Sequence, residues 1–295
     1  AAVLLVGVIF MLSMEDKTEP TRQVLLSSVS KERMEPFATL VTTTGKVVYL
    51  EDSVKQESLK ASNKESLKQE ESGNGEVLPQ EIKQEVEYNV LTTSKQGNIK
   101  VVLYDGSHVW LNAGSELRYP NSFVENQRVV YLKGEAYFDV TKDESHPFIV
   151  KTIASEISVL GTSFNVKAYR NSGLVETSLV EGVVSVKDNV LRPDMQATYY
   201  EQSGDFSYRK IKGENYRLRK EQMFVFEEER LDDILQEMAR WYDFEVFYQN
   251  PELKDYEFRG VIKRDMDLDK VLSVIKVTTN VDFEVKGKVI TIIKR

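Results

Sequence analysis

Between Val101 and Val166, apolar residues recur at every second position in short runs, and glycine interrupts those runs repeatedly. Side chains alternate between faces along a strand, so a period of two marks a surface buried on one side. Glycine tolerates the positive φ of a tight reversal, so glycine between two such runs predicts a hairpin. Val101 and Leu103 alternate before Asp105-Gly106-Ser107, and Val109 and Leu111 alternate after it. Asn112-Ala113-Gly114-Ser115 is expected to form the next turn. Val129 and Tyr131, then Ala136, Phe138 and Val140, repeat the period around Lys133-Gly134, and Ile157 and Val159, then Phe164 and Val166, repeat it around Gly161. Upstream, Thr39 to Leu50 reads as a hairpin turning at Gly45. No amphipathic helix separates these runs, so the region reads as all-β. Periodicity alone leaves a solenoid-like stack of hairpins and a sandwich both open.

Residues 218–295 follow a different pattern, built on an internal repeat. Leu231-Asp232-Asp233-Ile234-Leu235 returns 37 residues later as Leu268-Asp269-Lys270-Val271-Leu272, and Asp243-Phe244-Glu245-Val246 returns 39 residues later as Asp282-Phe283-Glu284-Val285. Leu231, Ile234, Leu235 and Met238 fall at i, i+3, i+4 and i+7, as do Leu268, Val271, Leu272 and Ile275, which places each set on one helix face. Asp267 is the expected N-cap of the second helix. Short apolar stretches, Met223 to Phe226 and Phe258 to Ile262, precede the helices, so the segment predicts strand-helix-strand twice. A hairpin at Lys286-Gly287-Lys288 then leads into Val289 to Ile293. Such a unit leaves sheet edges whose unpaired N–H and C=O groups accept a strand from another chain.

At 295 residues the chain has room for two domains and linkers, and an apolar content of 41% fills ordinary cores. A net charge of -8 with no basic stripe argues against nucleic acid, because phosphate binding needs clustered Lys and Arg. There is no cysteine, hence no disulfide framework or thiolate metal site. Residues 1–14 form an uninterrupted apolar run, shorter than the roughly twenty residues a whole span needs. They are read as the outer half of a truncated transmembrane helix, with 15–37 as a connector. Residues 51 to 87 hold ten acidic and five basic residues and no aromatic, so they read as a solvated, charged insertion.

Several motifs fall in one order over about seventy residues: Leu103-Tyr104-Asp105-Gly106-Ser107, Val109-Trp110-Leu111-Asn112-Ala113-Gly114-Ser115, Arg118-Tyr119-Pro120, Leu132-Lys133-Gly134-Glu135-Ala136-Tyr137-Phe138-Asp139-Val140 and Leu160-Gly161-Thr162-Ser163-Phe164. This string resembles the periplasmic domain of FecR-type anti-sigma factors. The repeat segment, with Trp241-Tyr242 before Asp243-Phe244, resembles the small secretin-and-TonB N-terminal domain that follows it in those proteins. The resemblance implies an α+β chain: an all-β domain at 38–212, a βαβ-βαβ domain at 218–295, and an inner-membrane helix before them. It also implies two partners. One is the signalling domain of an outer-membrane TonB-dependent transporter, docking on the C-terminal domain. The other is an extracytoplasmic-function sigma factor, held by a part that would precede Ala1.

Catalytic chemistry has little footing. His108 and His146 have no second histidine at metal-binding spacing, and there is no G-x-S-x-G elbow, phosphate-binding loop or dinucleotide fingerprint. No cofactor is expected. Trp110, Tyr119, Tyr137 and Phe138 are candidates for lining a sugar platform, but their alternating strand positions favour the core. The family supplies one exception: some members cleave themselves at the bond that here joins Gly161 to Thr162, through attack of the Thr162 hydroxyl on the Gly161 carbonyl. A structural turn is the competing reading of that dipeptide. The alternative to a transporter-linked regulator is a periplasmic carbohydrate-binding sensor, which would show exposed aromatics on one face of the β domain.

Overall fold

In the computed structural model, residues 36–50, 59–60, 86–123 and 126–295 are described. The apolar segment 1–14, most of the connector and nearly all of the charged insertion lie outside them. Among the described residues no helix is long and apolar enough to cross a membrane.

The chain is α+β. Its first part contains β1 (Ala38–Val41), β2 (Val47–Leu50), β3 (Leu59–Lys60), β4 (Tyr88–Thr93), β5 (Ile99–Val102), β6 (His108–Leu111), β7 (Glu116–Pro120) and β8 (Arg128–Asp139). It continues through β9 (Phe148–Lys151), β10 (Glu156–Val159), β11 (Ser163–Ala168), β12 (Leu174–Glu181), β13 (Val184–Val186), β14 (Asn189–Leu191), β15 (Met195–Tyr200) and β16 (Phe206–Lys210). Two sheets result, in a sandwich-like arrangement. One runs β2-β1-β4-β7-β8-β9-β10-β13-β14 and the other β3-β5-β6-β8-β11-β12-β15-β16. Between them lies a core that includes Leu91, Leu117, Val130, Leu132, Phe138, Phe148 and Phe164. Phe138 stacks on Phe164 with ring centroids 5.1 Å apart.

Strand β8 belongs to both sheets. Its first half pairs with β7 and β9, its second half with β6 and β11, and the change falls at Gly134. Gly134 has φ +98°, and a Cβ there would come within 2.3 Å of Ser115 Oγ. The expected interruption at Lys133-Gly134 is therefore a bend inside one continuous strand, of the kind that carries strands from sheet to sheet. The reading around Gly161 needs a similar correction. β10 and β11 flank it but do not pair; β10 joins β9 and β13 while β11 joins β8 and β12. The hairpins at Gly45 and Gly106 form as expected, with φ of +78° and +83°.

Helix α1 (Gly213–Leu218) and a 3-10 turn (Arg219–Glu221) lead into β17 (Met223–Arg230), α2 (Leu231–Tyr242), β18 (Glu245–Tyr248), β19 (Glu257–Lys263), α3 (Leu268–Thr278), β20 (Val281–Lys286) and β21 (Val289–Lys294). β17 pairs with β19, and a separate sheet runs β18-β21-β20. The two apolar helix stripes, Leu231 to Trp241 and Leu268 to Ile275, fill a second core. Asp267 occupies the N-cap position of α3 without capping it, because its carboxylate accepts the Lys270 ammonium at 2.9 Å instead. Ala113, from the turn after β6, is buried in this second core.

Candidate functional site

Four charged side chains meet between the two cores. Glu135 follows the Gly134 bend on β8, Arg219 comes from the 3-10 turn, Glu237 projects from α2, and Arg264 follows β19. Arg219 Nη1 lies 2.9 Å from Glu135 Oε1 and 3.0 Å from Glu237 Oε1, and Arg264 Nη2 lies 3.2 Å from the same Glu237 oxygen. Asn112 closes the ring by donating to Glu135 Oε2 at 2.8 Å and accepting from Arg264 Nη1. Asn165 donates to Glu135 Oε1 at 3.0 Å. No side chain of the four is more than 8% exposed.

Burial acts against every charge here, and the neighbours decide the outcome. For Glu135, desolvation raises the pKa, but Arg219, Lys167, Arg264 and the Asn112 amide outweigh it and hold the carboxyl at about 2. The two arginines move in opposite directions. Arg219 faces both carboxylates, which overcome its desolvation and raise its pKa. Arg264 is lowered, because desolvation and the nearby Arg219 outweigh what Glu237 and Glu135 supply. A buried ion cluster of this kind contributes little net stability when whole, yet breaking it leaves an uncompensated charge. Here the cluster bridges the two cores, through Arg219 to Glu135 and Arg264 to Asn112.

Polar contacts around the cluster continue the interface. Asn98 and Gln222 exchange amide hydrogen bonds at 2.7 and 3.1 Å. The Tyr169 hydroxyl donates to Ala113 O at 2.9 Å, Gln96 N to Arg240 O at 3.1 Å, and Lys95 pairs with Asp243 at 2.6 Å. Glu135, Ala136, Tyr137 and Phe138 are buried in succession because both faces of β8 are covered: Ala136 and Phe138 lie in the sandwich core, Glu135 in the charge cluster, and Tyr137 among Val180, Ile211 and Tyr216.

The residues singled out in the sequence lie elsewhere. Gly161 packs against the Lys142 backbone so closely that a Cβ would come within 2.5 Å of Lys142 Cα. The Thr162 hydroxyl donates to Val183 O at 3.0 Å. His146 Nδ1 sits 2.8 Å from Asp143 in an exposed turn, and His108 packs edge-on to Trp110. Tyr119, Tyr137 and Phe138 are buried and Trp110 is half-buried. The exposed tyrosines, Tyr49, Tyr104, Tyr200 and Tyr208, are scattered over β2, the β5–β6 turn, β15 and β16. Sequence reasoning missed the charge cluster. The available signal was Glu237, which falls inside the apolar stripe of α2 between Ile234 and Trp241, where a solvated carboxylate has no place.

A sandwich joined to a βαβ repeat module is a fold with solved counterparts. Two crystal structures of a Parabacteroides distasonis ATCC 8503 protein assigned as an anti-sigma factor share it, each with a TM-score of 0.64. They are 28% and 29% identical to this chain and cover 70% of it and 99% of their own. No curated protein matches the chain. The profile described as FecR protein matches residues 89–185, and that described as FecR, C-terminal, matches residues 223–292. The chain belongs to the FecR family of membrane-anchored anti-sigma factors, whose business is the regulation of sigma factors. Glu135 lies in the first matched segment, Glu237 and Arg264 in the second, and Arg219 between them.

Proposed function

We propose that this chain is the periplasmic part of an inner-membrane anti-sigma regulator, divided into units at 38–212 and 218–295. It receives its signal from the N-terminal domain of an outer-membrane TonB-dependent transporter and controls an extracytoplasmic-function sigma factor. The observation that carries the reading is the outer edge of β18. Glu245 N–H donates to Lys288 O and Gln249 N–H to Ile292 O, so alternate residues of β18 face β21. Val246 and Tyr248 therefore turn their N–H and C=O groups outward, and no strand among the described residues lies beyond them. Phe247, 56% exposed, stands beside this row. An extended segment of the transporter domain would add there as a further strand, with backbone hydrogen bonds supplying affinity and Phe247 an apolar anchor.

Docking transmits a signal only if the partner binds two states differently. Helix α2 packs on β18 and carries Glu237 into the charge cluster, so displacement of β18 bears directly on the contacts to Arg219 and Arg264. No cleavage step is included: the Thr162 hydroxyl is engaged with Val183 O, and Gly161-Thr162 is read as a tight structural junction. Calorimetry between this chain and signalling domains of transporters from the same genome tests the docking. Saturable binding, abolished by Val246→Pro, supports it, since proline removes an outward donor and blocks strand addition. Binding indifferent to that substitution, or absent for every cognate domain, overturns it.

A further inference from the structure

One sheet of the β unit ends at β16, and no strand among the described residues lies beyond it. Tyr200 N–H donates to Asp205 O at 3.0 Å and Ile211 N–H to Asp194 O at 2.9 Å. With the register of β15 and β16, this turns the backbone groups of Ser207 and Arg209 towards β15, and those of Phe206, Tyr208 and Lys210 outward. Edge strands are usually blunted by a bulge or a proline. β16 has neither, and its register with β15 is regular through its whole length.

The side chains of the same three residues lie on the face that carries the core, because their partners across the ladder are Tyr199, Ala197 and Met195. Tyr199 packs on Phe206 with ring centroids 5.0 Å apart, and Phe206 stacks on Tyr208 at 6.0 Å. Lys187 closes the inner end of this aromatic run, its ammonium 3.9 Å from the centre of the Tyr199 ring. The outer end lies open. Tyr208 is 48% exposed although it stands on the core side, and Lys210 beside it is exposed as well.

We propose that β16 pairs with β16 of a second copy of this chain, antiparallel about a two-fold axis at Tyr208. All three outward residues then exchange backbone hydrogen bonds across the axis. On the core side Tyr208 meets its own copy and Lys210 meets Phe206, so an aromatic pair is flanked by two cation–π contacts. On the other side Arg209 meets Ser207, and no like charges stand opposite each other. Other registers fit less well. An axis at Arg209 or Lys210 sets that cation against itself, and one at Phe206 or Ser207 carries Lys210 past the end of the paired strand. Such self-complementarity is what a two-fold interface requires, and it selects a second copy over an unrelated strand. β18 lies in a separate sheet of the other unit, so transporter docking and self-pairing stand or fall separately.

The test is sedimentation velocity of the full chain over a range of concentrations. A pair of short edges makes a small interface, so a monomer–dimer equilibrium is expected with a dissociation constant between about 10 µM and 1 mM. Tyr208→Lys and Tyr208→Glu each set like charges across the axis, and each alone is expected to weaken dimerisation about tenfold or more. An equal mixture of the two sets opposite charges across the axis and is expected to regain the dimer, which also shows that both variants are folded. A parent chain that stays monomeric at about 1 mM would overturn the proposal. So would single variants that associate as the parent does, or a mixture that fails to regain the dimer.

Discussion

Replacing Arg219 by Met keeps most of the side-chain volume and removes the charge that bridges Glu135 and Glu237. Glu237 keeps Arg264, while Glu135 is left with the Asn112 and Asn165 amides and more distant cations. Removing one partner from a buried ion cluster costs about 3–5 kcal/mol. At about 2–4 °C per kcal/mol for a chain of this size, the melting temperature should fall by roughly 10 °C. The two tryptophans provide the assay, because Trp110 lies in the β unit and Trp241 in the second core. In single-tryptophan backgrounds made with Trp110→Phe or Trp241→Phe, both probes should report one transition while the interface is intact. Arg219→Met should separate them. Adding Glu135→Gln to Arg219→Met should recover part of the loss, since it removes the stranded charge, although Glu135→Gln alone destabilises. A loss under about 1 kcal/mol for Arg219→Met, or two substitutions whose costs simply add, would refute the account of the cluster as a coupled unit.

Glu229 is held near pKa 7, above its ordinary 4.5, mainly by burial, with Lys167 and Arg219 pulling it down. Protonation therefore favours the fold, and the stability it contributes is fully present below about pH 4.5 and lost as pH rises through 7. Glu229→Gln should be up to about 3 kcal/mol more stable than the parent at pH 8 and no more stable at pH 4, as read from urea melts. Glu135, held at about 2, gives the opposite dependence: its contribution is present above pH 4.5 and lost as pH falls towards 2. Parallel melts of Glu135→Gln should converge with the parent at the acid end. Gly134→Ala places a Cβ against Ser115 at a positive φ and should cost about 2–4 kcal/mol, seen as a lower urea midpoint. Ile234→Ala empties a fully buried site on α2 and should cost about 2–5 kcal/mol in the same assay.

Local features were legible in the sequence where local chemistry decides them. Gly45, Gly106 and Gly287 each adopt positive φ in a tight reversal, and their flanking strands pair. The helix stripes of the C-terminal repeat were equally plain, because Leu231 and Leu268 each begin a 3.6-residue period. Glycine at a strand bend gives the same local signal as glycine at a hairpin, so Gly134 could not be distinguished from a turn. Only the long-range register, β7 and β9 on one side and β6 and β11 on the other, separates the two cases. Around Gly161 the missing information was again the partner of each strand. The charge cluster was harder still: Glu135, Arg219, Glu237 and Arg264 are spread over 130 residues, and only Glu237, inside the apolar stripe of α2, carries a local sign of burial.

Because β8 is hydrogen-bonded to four neighbours in two sheets, it is the seam of the sandwich, and Glu135 is fastened to it one residue past the bend. Moving Glu135 relative to its own strand would shear ladders in both sheets at once. Glu237 and Arg264 sit instead on a helix and on a strand end of a much smaller body. The cluster thus ties a strand shared by two sheets to the smaller unit. Any shift of the C-terminal module against the sandwich would have to break the contacts of Arg219 to Glu135 and of Arg264 to Asn112, and so would be felt at the one strand that both sheets share.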